Sequence, residues 1–119
     1  MDIVVGKSLL DRFAAAWEAR NVEGVVDCFS IDGVYFSSMG PLPGQQASGH
    51  EEIRALLVVM FNLDKGALTS IFDVQIAKKS ASWKWRYLLA DGRVELGCDF
   101  FEFENGRISL KDAYRKVRG

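Results

Sequence analysis

The spacing of apolar residues changes once along the chain, at about Gly66, and this change restricts the fold more than any other feature. Before it, apolar residues recur every three or four positions, as in amphipathic helices; after it, they alternate with polar residues, as in half-buried strands. Three helices are predicted, at residues 8–20, 22–29 and 49–61. One short strand, at 34–37, precedes the third helix, and four strands follow it, at 68–78, 81–89, 93–103 and 107–114. This order predicts one α+β domain over residues 1–119, with the helices packed on one face of a curved antiparallel sheet.

Short local signals place the ends of several of these elements. Asp32-Gly33 is typical of a turn before the first strand. Ser48 followed by Glu51 is a capping box, which predicts the start of the third helix. Asn105-Gly106 indicates a tight hairpin turn between the last two strands.

Composition excludes several classes of protein. Hydrophobic residues make up 49% of the chain, which is enough for a buried core. The 15 Lys and Arg residues are balanced by 16 Asp and Glu residues, so neither a nucleic-acid surface nor an anionic-membrane surface is expected. With one histidine and two scattered cysteines, no metal site and no disulfide scaffold are predicted. The start of the chain does not resemble a signal peptide and no apolar run is long enough for a membrane span, so a reduced, cytoplasmic setting is expected.

One carboxylate, Asp99, interrupts the apolar run that precedes the Asn105-Gly106 turn. A two-residue turn at Asp91-Gly92 places it opposite Lys84, as an ordinary surface salt bridge. A three-residue turn that includes Ala90 slips the register by one residue and places Asp99 opposite Trp83, away from water. The alternation of polar and apolar residues favours the first register, whereas the face that Asp99 shares with Phe101 and Phe103 favours the second. A β-bulge would reconcile the two, so the register remains open from the pattern alone.

Two other strands carry side chains with a choice of roles. Trp83, Trp85 and Tyr87 alternate along one strand, either as core residues or as a stacking wall for a flat ligand. Tyr35 and Ser37 alternate on the first strand, where both hydroxyls could reach the interior of the fold. The basic residues of the last strand and the tail are interpreted as a solvated edge: Lys111, Arg115, Lys116 and Arg118.

The chain resembles the NTF2-like superfamily, in particular its SnoaL-like polyketide cyclase and ketosteroid isomerase branches. Four stretches spread over nearly the whole chain carry the resemblance: Trp17 through Tyr35, Gly49-His50-Glu51-Glu52-Ile53, Asp99 nine residues before Ile108, and Ala113-Tyr114. The resemblance implies a cone with a pocket between the concave face of the sheet and the helices. It also implies a homodimer formed through the sheet. The same superfold hosts many chemistries, so it implies no single activity.

The resemblance carries over to the catalytic positions only in part. Asp99 matches the acidic residue that serves as acid or base in the cyclases and as a protonated hydrogen-bond donor in the isomerase. Ser37 stands where the isomerase has its base, Phe13 where it has a tyrosine, and Trp85 where the cyclases have a histidine. A weaker similarity to limonene-epoxide hydrolase covers Tyr35 and the Pro-Leu-Pro loop, but the triad of that enzyme is not matched. Neither steroid isomerisation nor epoxide hydrolysis is therefore expected.

These observations predict a pocket for a small apolar, aromatic or polyketide-like molecule. If the protein is an enzyme, the expected chemistry is a cofactor-free isomerisation, cyclisation, hydration or dehydration, with Asp99 as a neutral donor or general acid and Tyr35 or Ser37 assisting. The residues predicted to line the pocket are Phe13, Trp17, Met60, Trp83, Trp85, Tyr87 and Phe101. The alternative is a non-catalytic module of the same fold that binds a ligand or a protein.

Overall fold

The computed structural model describes residues 2–117, and within them the chain forms three helices and six strands. In chain order these are α1 (Ile3–Glu18), α2 (Val22–Cys28), β1 (Phe29–Phe36), β2 (Gln46–Ser48), α3 (Gly49–Leu63), β3 (Leu68–Ile76), β4 (Ser80–Leu88), β5 (Val94–Glu104) and β6 (Arg107–Arg115). The three predicted helices and five predicted strands are therefore present, with α1 and β1 each beginning five residues earlier than expected, whereas β2 was not predicted. Its first turn is capped by Asp2, whose side chain accepts a hydrogen bond of 2.8 Å from the N–H of Val4.

The sheet is mixed, with strand order β2-β1-β6-β5-β4-β3. Its neighbouring strands are antiparallel except β1 and β6, which run parallel with Tyr35 beside Lys111. The prediction of a purely antiparallel sheet is therefore wrong at this one pair. Turn signals reveal pairing between successive strands, whereas β1 and β6 lie at opposite ends of the chain and no turn connects them.

Two local predictions fail for reasons that the packing makes clear. Asp32-Gly33 is not a turn but part of β1, at an irregularity in the pairing with β6. A Cβ atom at Gly33 would lie only 3.1 Å from the carbonyl oxygen of Ile108, so a glycine suits this close approach of two backbones. The expected capping box is also absent, because Glu52 rather than Glu51 accepts the hydrogen bond from the N–H of Ser48, at 2.9 Å.

The core lies between the helices and the inner face of the sheet. Alternation along β4 divides that strand cleanly: Trp83, Trp85 and Tyr87 are buried inside, while Lys84 and Arg86 are exposed on the outer face. Helix α1 contributes Phe13 and other apolar residues to the same core. Of the helices in residues 2–117, none has the length and apolar character needed to cross a membrane.

Candidate functional site

The turn between β4 and β5 sets the position of Asp99. The N–H of Leu89 donates to the carbonyl oxygen of Arg93 at 2.8 Å, which encloses the three residues Ala90-Asp91-Gly92. Gly92 has φ = 90°, the left-handed conformation that such a turn requires. Trp83 consequently lies opposite Asp99, and the three-residue register is confirmed. The alternative, with Asp99 opposite Lys84, is wrong, because Lys84 pairs with Cys98.

Asp99 is held as an acceptor in an aromatic setting. Its side chain receives the indole N–H of Trp83 at 2.7 Å and that of Trp85 at 3.1 Å, one on each carboxyl oxygen, and the residue is only 4% exposed. An indole N–H can only donate. Both oxygens therefore act as acceptors toward the two indoles, and the role of Asp99 as a donor or general acid stays a prediction.

A glycine opposite Trp85 makes the second of these bonds possible. Gly97 pairs with Trp85 across β4 and β5. A Cβ atom there would lie 2.1 Å from Cζ2 of Trp85 and 2.3 Å from the carbonyl oxygen of Tyr114. Because Gly97 has no side chain, the indole can lie across β5 and reach Asp99.

Lys111 completes the polar centre of the site. Its Nζ lies 3.5 Å from Oδ1 of Asp99 and its side chain is 2% exposed. It also lies 4.2 Å from the ring centroid of Tyr35 and 4.5 Å from that of Trp17, within the range of cation–π attraction. Burial lowers the pKa of Lys111, and the negative charge of Asp99 opposes that effect.

The interpretation of Lys111 as part of a solvated edge is therefore wrong. Lys116 is exposed, as expected, and Arg118 lies outside the described residues. Strand β6 lies in the middle of the sheet, between β1 and β5, so its inward side chains are buried. The family resemblance already contained the signal, because it matched Ala113, which lies opposite Asp99. Residues two positions either side of Ala113 share its face, and these are Lys111 and Arg115.

Two tyrosine hydroxyls enter the same interior. The indole N–H of Trp17 donates to the hydroxyl oxygen of Tyr87 at 2.6 Å, and the hydroxyl of Tyr35 donates to the sulfur of Met60 at 3.7 Å. Burial raises the pKa of Tyr87 to about 12 and raises that of Tyr35 well above its usual value. Both groups are therefore neutral hydroxyls at physiological pH.

These side chains surround a narrow interior cavity. Its volume is about 20 Å³. The lining consists of Phe13, Trp17, Tyr35, Ser38, Met60, Thr69, Ile71, Trp83, Trp85, Tyr87, Asp99, Lys111, Ala113 and Arg115. Six of the seven predicted pocket residues are in this lining, together with the predicted catalytic residues Asp99 and Tyr35.

Two predicted site residues lie outside the lining. Phe101 packs behind it, with its ring centroid 4.8 Å from that of Trp83 and 5.5 Å from that of Phe13. Ser37 is buried, but its hydroxyl is engaged with the backbone of Met39, to which it donates at 3.2 Å and from which it accepts at 3.1 Å. The serine that lines the cavity is its neighbour Ser38.

Sequence reasoning also missed two polar residues at the edge of the cavity. Arg115 forms an ion pair with Glu95, and its guanidinium lies 5.0 Å from the ring centroid of Trp85. The hydroxyl oxygen of Thr69 is buried, and within residues 2–117 it has no hydrogen-bond partner. Thr69 lies on β3 directly opposite Tyr87, so the parity of the sheet points it inward.

His50 lies away from this cavity. A ring nitrogen of His50 is 2.8 Å from the carbonyl oxygen of Phe29, a contact that ties α3 to β1. Among the described residues there is no group of three or more His, Cys, Asp or Glu side chains arranged to hold a metal ion.

Comparison with known proteins identifies the fold. A model of the SnoaL-like domain matches residues 10–110. No match was found among curated proteins. Among solved structures, an NTF2-like protein of unknown function from Mesorhizobium loti is similar with a TM-score of 0.84 at 20% identity, over 97% of this chain and 93% of that chain.

Two further solved structures are similar in fold. A hypothetical protein from Catenulispora acidiphila, with a ketosteroid isomerase-like fold and in complex with trimethylamine, is similar with a TM-score of 0.78 at 16% identity, over 92% of this chain and 85% of that chain. A candidate polyketide cyclase from Sinorhizobium meliloti is similar with a TM-score of 0.76 at 13% identity, over 89% of this chain and 93% of that chain. At these identities the likeness is one of fold, and the predicted NTF2-like fold is confirmed.

Proposed function

The chain belongs to the SnoaL-like domain family, and from this premise we propose that its cavity binds a small, mostly apolar molecule and moves a proton on it. The reaction is of the isomerase, cyclase or hydratase/dehydratase type. The observation that carries the proposal is the Asp99–Lys111 pair, closed in by aromatic rings.

A buried ion pair in such a setting is difficult to explain by stability alone. Removing two charges from water costs about as much free energy as their attraction returns, and an apolar pair of similar volume is often at least as stable. Charged groups in an apolar cleft are, by contrast, typical of acid/base sites. Asp99 can accept a proton and Lys111 can donate one, so the pair supports both halves of a proton transfer.

The hydrogen-bond inventory of the cavity favours a ligand with an oxygen acceptor. The ammonium of Lys111 has three N–H donors and one carboxylate within 4 Å, at a long 3.5 Å. Tyr35 donates only to a thioether sulfur, and the hydroxyl of Thr69 has no partner within residues 2–117. Both oxygens of Asp99 already accept indole N–H groups. Donors are therefore in excess, and a carbonyl or enolate oxygen would satisfy them.

The size of the cavity sets a condition on binding. A cavity of about 20 Å³ holds roughly one water molecule, so an organic ligand enters only if one wall of the cavity moves. Met60 is the wall residue best suited to move, because its side chain is unbranched and makes adaptable contacts.

Hydrogen exchange on a ketone tests the proposal without knowledge of the natural substrate. We expect the protein to accelerate exchange of the α-hydrogens of 2-tetralone for deuterium in D₂O, followed by proton NMR. Asp99→Asn and Lys111→Met should each lower the protein-catalysed rate about 100-fold or more, the usual contribution of a general acid or base. Lys84→Met removes an exposed lysine from the outer face and should leave the rate unchanged. A wild-type rate equal to that of buffer would rule out proton transfer on this class of ketone.

A non-catalytic binding protein is the second candidate. It is favoured by the engagement of both Asp99 oxygens with indole N–H groups, which fits a structural acceptor as well as a base. A saturable change in tryptophan fluorescence on addition of 2-tetralone, without exchange above the buffer rate, would support this candidate.

We also propose that a second copy of the chain covers the outer face of the sheet, as the family resemblance implies. That face carries half-exposed apolar side chains, Phe72, Leu96, Phe100 and Tyr114, and the rings of the last two pack edge to face at 5.7 Å. Contiguous exposed apolar groups are typical of an interface. Light scattering should therefore give the mass of a dimer, and Phe100→Lys should give a monomer. The matched control is Val58→Lys, at a similarly exposed apolar residue on α3, which should remain dimeric.

A further inference from the structure

We propose that Lys111 forms an imine with an aldehyde or ketone in the cavity, and that Asp99 carries the protons for this reaction. The inference rests on the proposed function in one respect, that the cavity admits an organic molecule. It adds a covalent step that proton transfer on a ketone does not require.

The first support is the weak pairing of the Lys111 ammonium. Charge-assisted hydrogen bonds from nitrogen to a carboxylate are usually about 2.7–2.9 Å long. The distance from Nζ of Lys111 to Oδ1 of Asp99 is 3.5 Å, and the same oxygen accepts the indole N–H of Trp85. The other close groups are the ring faces of Tyr35 and Trp17, which cannot accept a proton. The amine is thus near a base but is not locked to it.

The second support is the environment of the pair. Transfer of one proton from Lys111 to Asp99 converts an ammonium and a carboxylate into a neutral amine and a neutral acid. Burial among the ring faces of Tyr35 and Trp17 penalises the charged ammonium of Lys111, so its neutral amine forms more readily here than in water. The lowered pKa of Lys111, caused by burial, is in the same direction. A neutral, desolvated lysine is the usual form of an imine-forming nucleophile.

The chemistry balances with the groups present. The neutral amine attacks the carbonyl carbon, forming a C–N bond, and the carbonyl oxygen takes the proton held by Asp99. Asp99 then removes a proton from the nitrogen and returns it to the hydroxyl group, which leaves as water while the nitrogen lone pair forms the C=N bond. In sum, the ammonium and the carbonyl compound give an iminium ion and one water molecule, and Asp99 ends as the carboxylate.

The site also suits the product. The iminium ion carries the same single positive charge as the ammonium that it replaces. It therefore keeps the attraction to Asp99 and to the ring faces of Tyr35 and Trp17, and adds no new charge to the apolar interior.

Reductive trapping tests the inference directly. The full-length protein is incubated with a low concentration of benzaldehyde and sodium cyanoborohydride, which reduces an iminium ion to a stable secondary amine. Peptide mass spectrometry then compares labelling of Lys111 and Lys84 in the same molecules. Lys84 is the internal control, because it also pairs with an aspartate, at 3.2 Å, but lies on the exposed face. We expect Lys111 to be labelled at least about tenfold faster than Lys84 in the folded protein and about equally in guanidinium.

Labelling of Lys111 that is absent, or no faster than that of Lys84, in the folded protein would overturn the inference. The comparison uses the wild-type protein, so it does not depend on a variant that folds. Exchange of 2-tetralone hydrogens without labelling of Lys111 would leave the proposed proton transfer in place and reject the imine. Labelling without exchange would support the imine and reject that proton transfer.

Discussion

Two lysine–aspartate pairs lie on opposite faces of the same sheet. Lys84 and Asp73 are 3.2 Å apart on the outer face, with side chains 62% and 58% exposed. Lys111 and Asp99 are 3.5 Å apart on the inner face, with side chains 2% and 6% exposed. The chemical groups are the same and the distances are similar, so the surroundings account for the difference in behaviour that we expect.

The difference shows how the alternation of side chains along a strand directs one charged group to solvent and leaves another in the interior. Lys84 lies between Trp83 and Trp85 on β4, and the pleat directs it outward while both indoles turn inward to Asp99. An exposed pair contributes about 0–1 kcal/mol to stability. A buried pair is far more sensitive, because the loss of one partner leaves an uncompensated charge in the interior.

The largest expected effect is the loss of one partner from the inner pair. Asp99→Asn should lower the free energy of unfolding by about 3–5 kcal/mol, since Lys111 would then be buried without a counter-charge. The double variant Asp99→Asn/Lys111→Met should recover much of that loss. Urea unfolding measures both, and Asp73→Asn on the outer face should cost no more than about 1 kcal/mol. Equal losses at the two aspartates would remove the basis of the comparison.

A smaller decrease in the free energy of unfolding is expected when a side chain is added at Gly97. Gly97→Ala should destabilise by about 1–3 kcal/mol, because the new methyl group collides with the indole of Trp85 and the backbone of Tyr114. The near-ultraviolet circular dichroism of the tryptophans should change as well. Ser70→Ala, at an exposed residue of β3, should stay within about 0.5 kcal/mol of wild type. An unchanged tryptophan spectrum in Gly97→Ala would contradict the close packing of Trp85.

The dependence of stability on pH should distinguish the inner lysine from the outer one. The pKa of Lys111 is lowered in the folded state, so the unfolded chain binds more protons in the alkaline range below 10.5. Stability should therefore rise with pH in that range, by at most about 1.4 kcal/mol per pH unit. Chemical unfolding at neutral pH and at about pH 10 measures the free energy of unfolding. Between these pH values the wild type should become more stable relative to Lys111→Met, but not relative to Lys84→Met. The buried tyrosines act in the opposite direction, but they are common to all three proteins and cancel. If the stability of wild type relative to Lys111→Met fell with increasing pH, the buried position of Lys111 would be contradicted.

The smallest effect is expected at Thr69 and should be stabilising. Thr69→Val keeps the shape of the side chain and removes a buried hydroxyl that lacks a partner within residues 2–117, which should add about 1 kcal/mol. Thr69→Ser keeps the hydroxyl and serves as the control. Thermal unfolding measures both, and a valine variant less stable than the serine variant would show that the hydroxyl is satisfied.

Much of the fold could be predicted because helices and successive strands leave local signals. The apolar spacing after Ser8 and the alternation after Gly66 predicted the three helices and the last four strands in the right order, but no pattern predicted the short strand β2. The parallel neighbours β1 and β6 could not be predicted from the same patterns, because nothing near either strand specifies a partner so distant in the chain.

The sequence predicted the site residue that is unusual in its context, Asp99, but not the roles of Lys111 and Ser37, whose sequence contexts are common. Asp99 was found because a carboxylate is conspicuous in an apolar run. Lys111 was missed because a lysine near other basic residues is usually solvated, and because its burial depends on the place of β6 in the sheet. Ser37 was correctly predicted to face the interior. Its hydroxyl, however, is hydrogen-bonded to the backbone of Met39 in the following loop, a contact that the alternation along a strand does not predict.

The central place of β6 has a consequence for protein synthesis. During translation, β2 with β1, and β5 with β4 and β3, emerge from the ribosome before the strand that joins them. Until β6 is in place, no strand links β1 to β5, and long-range pairing of this kind forms slowly. The nascent chain therefore holds Asp99 before its partner lysine, so the Lys111 amine enters its aromatic surroundings only when β6 joins the sheet.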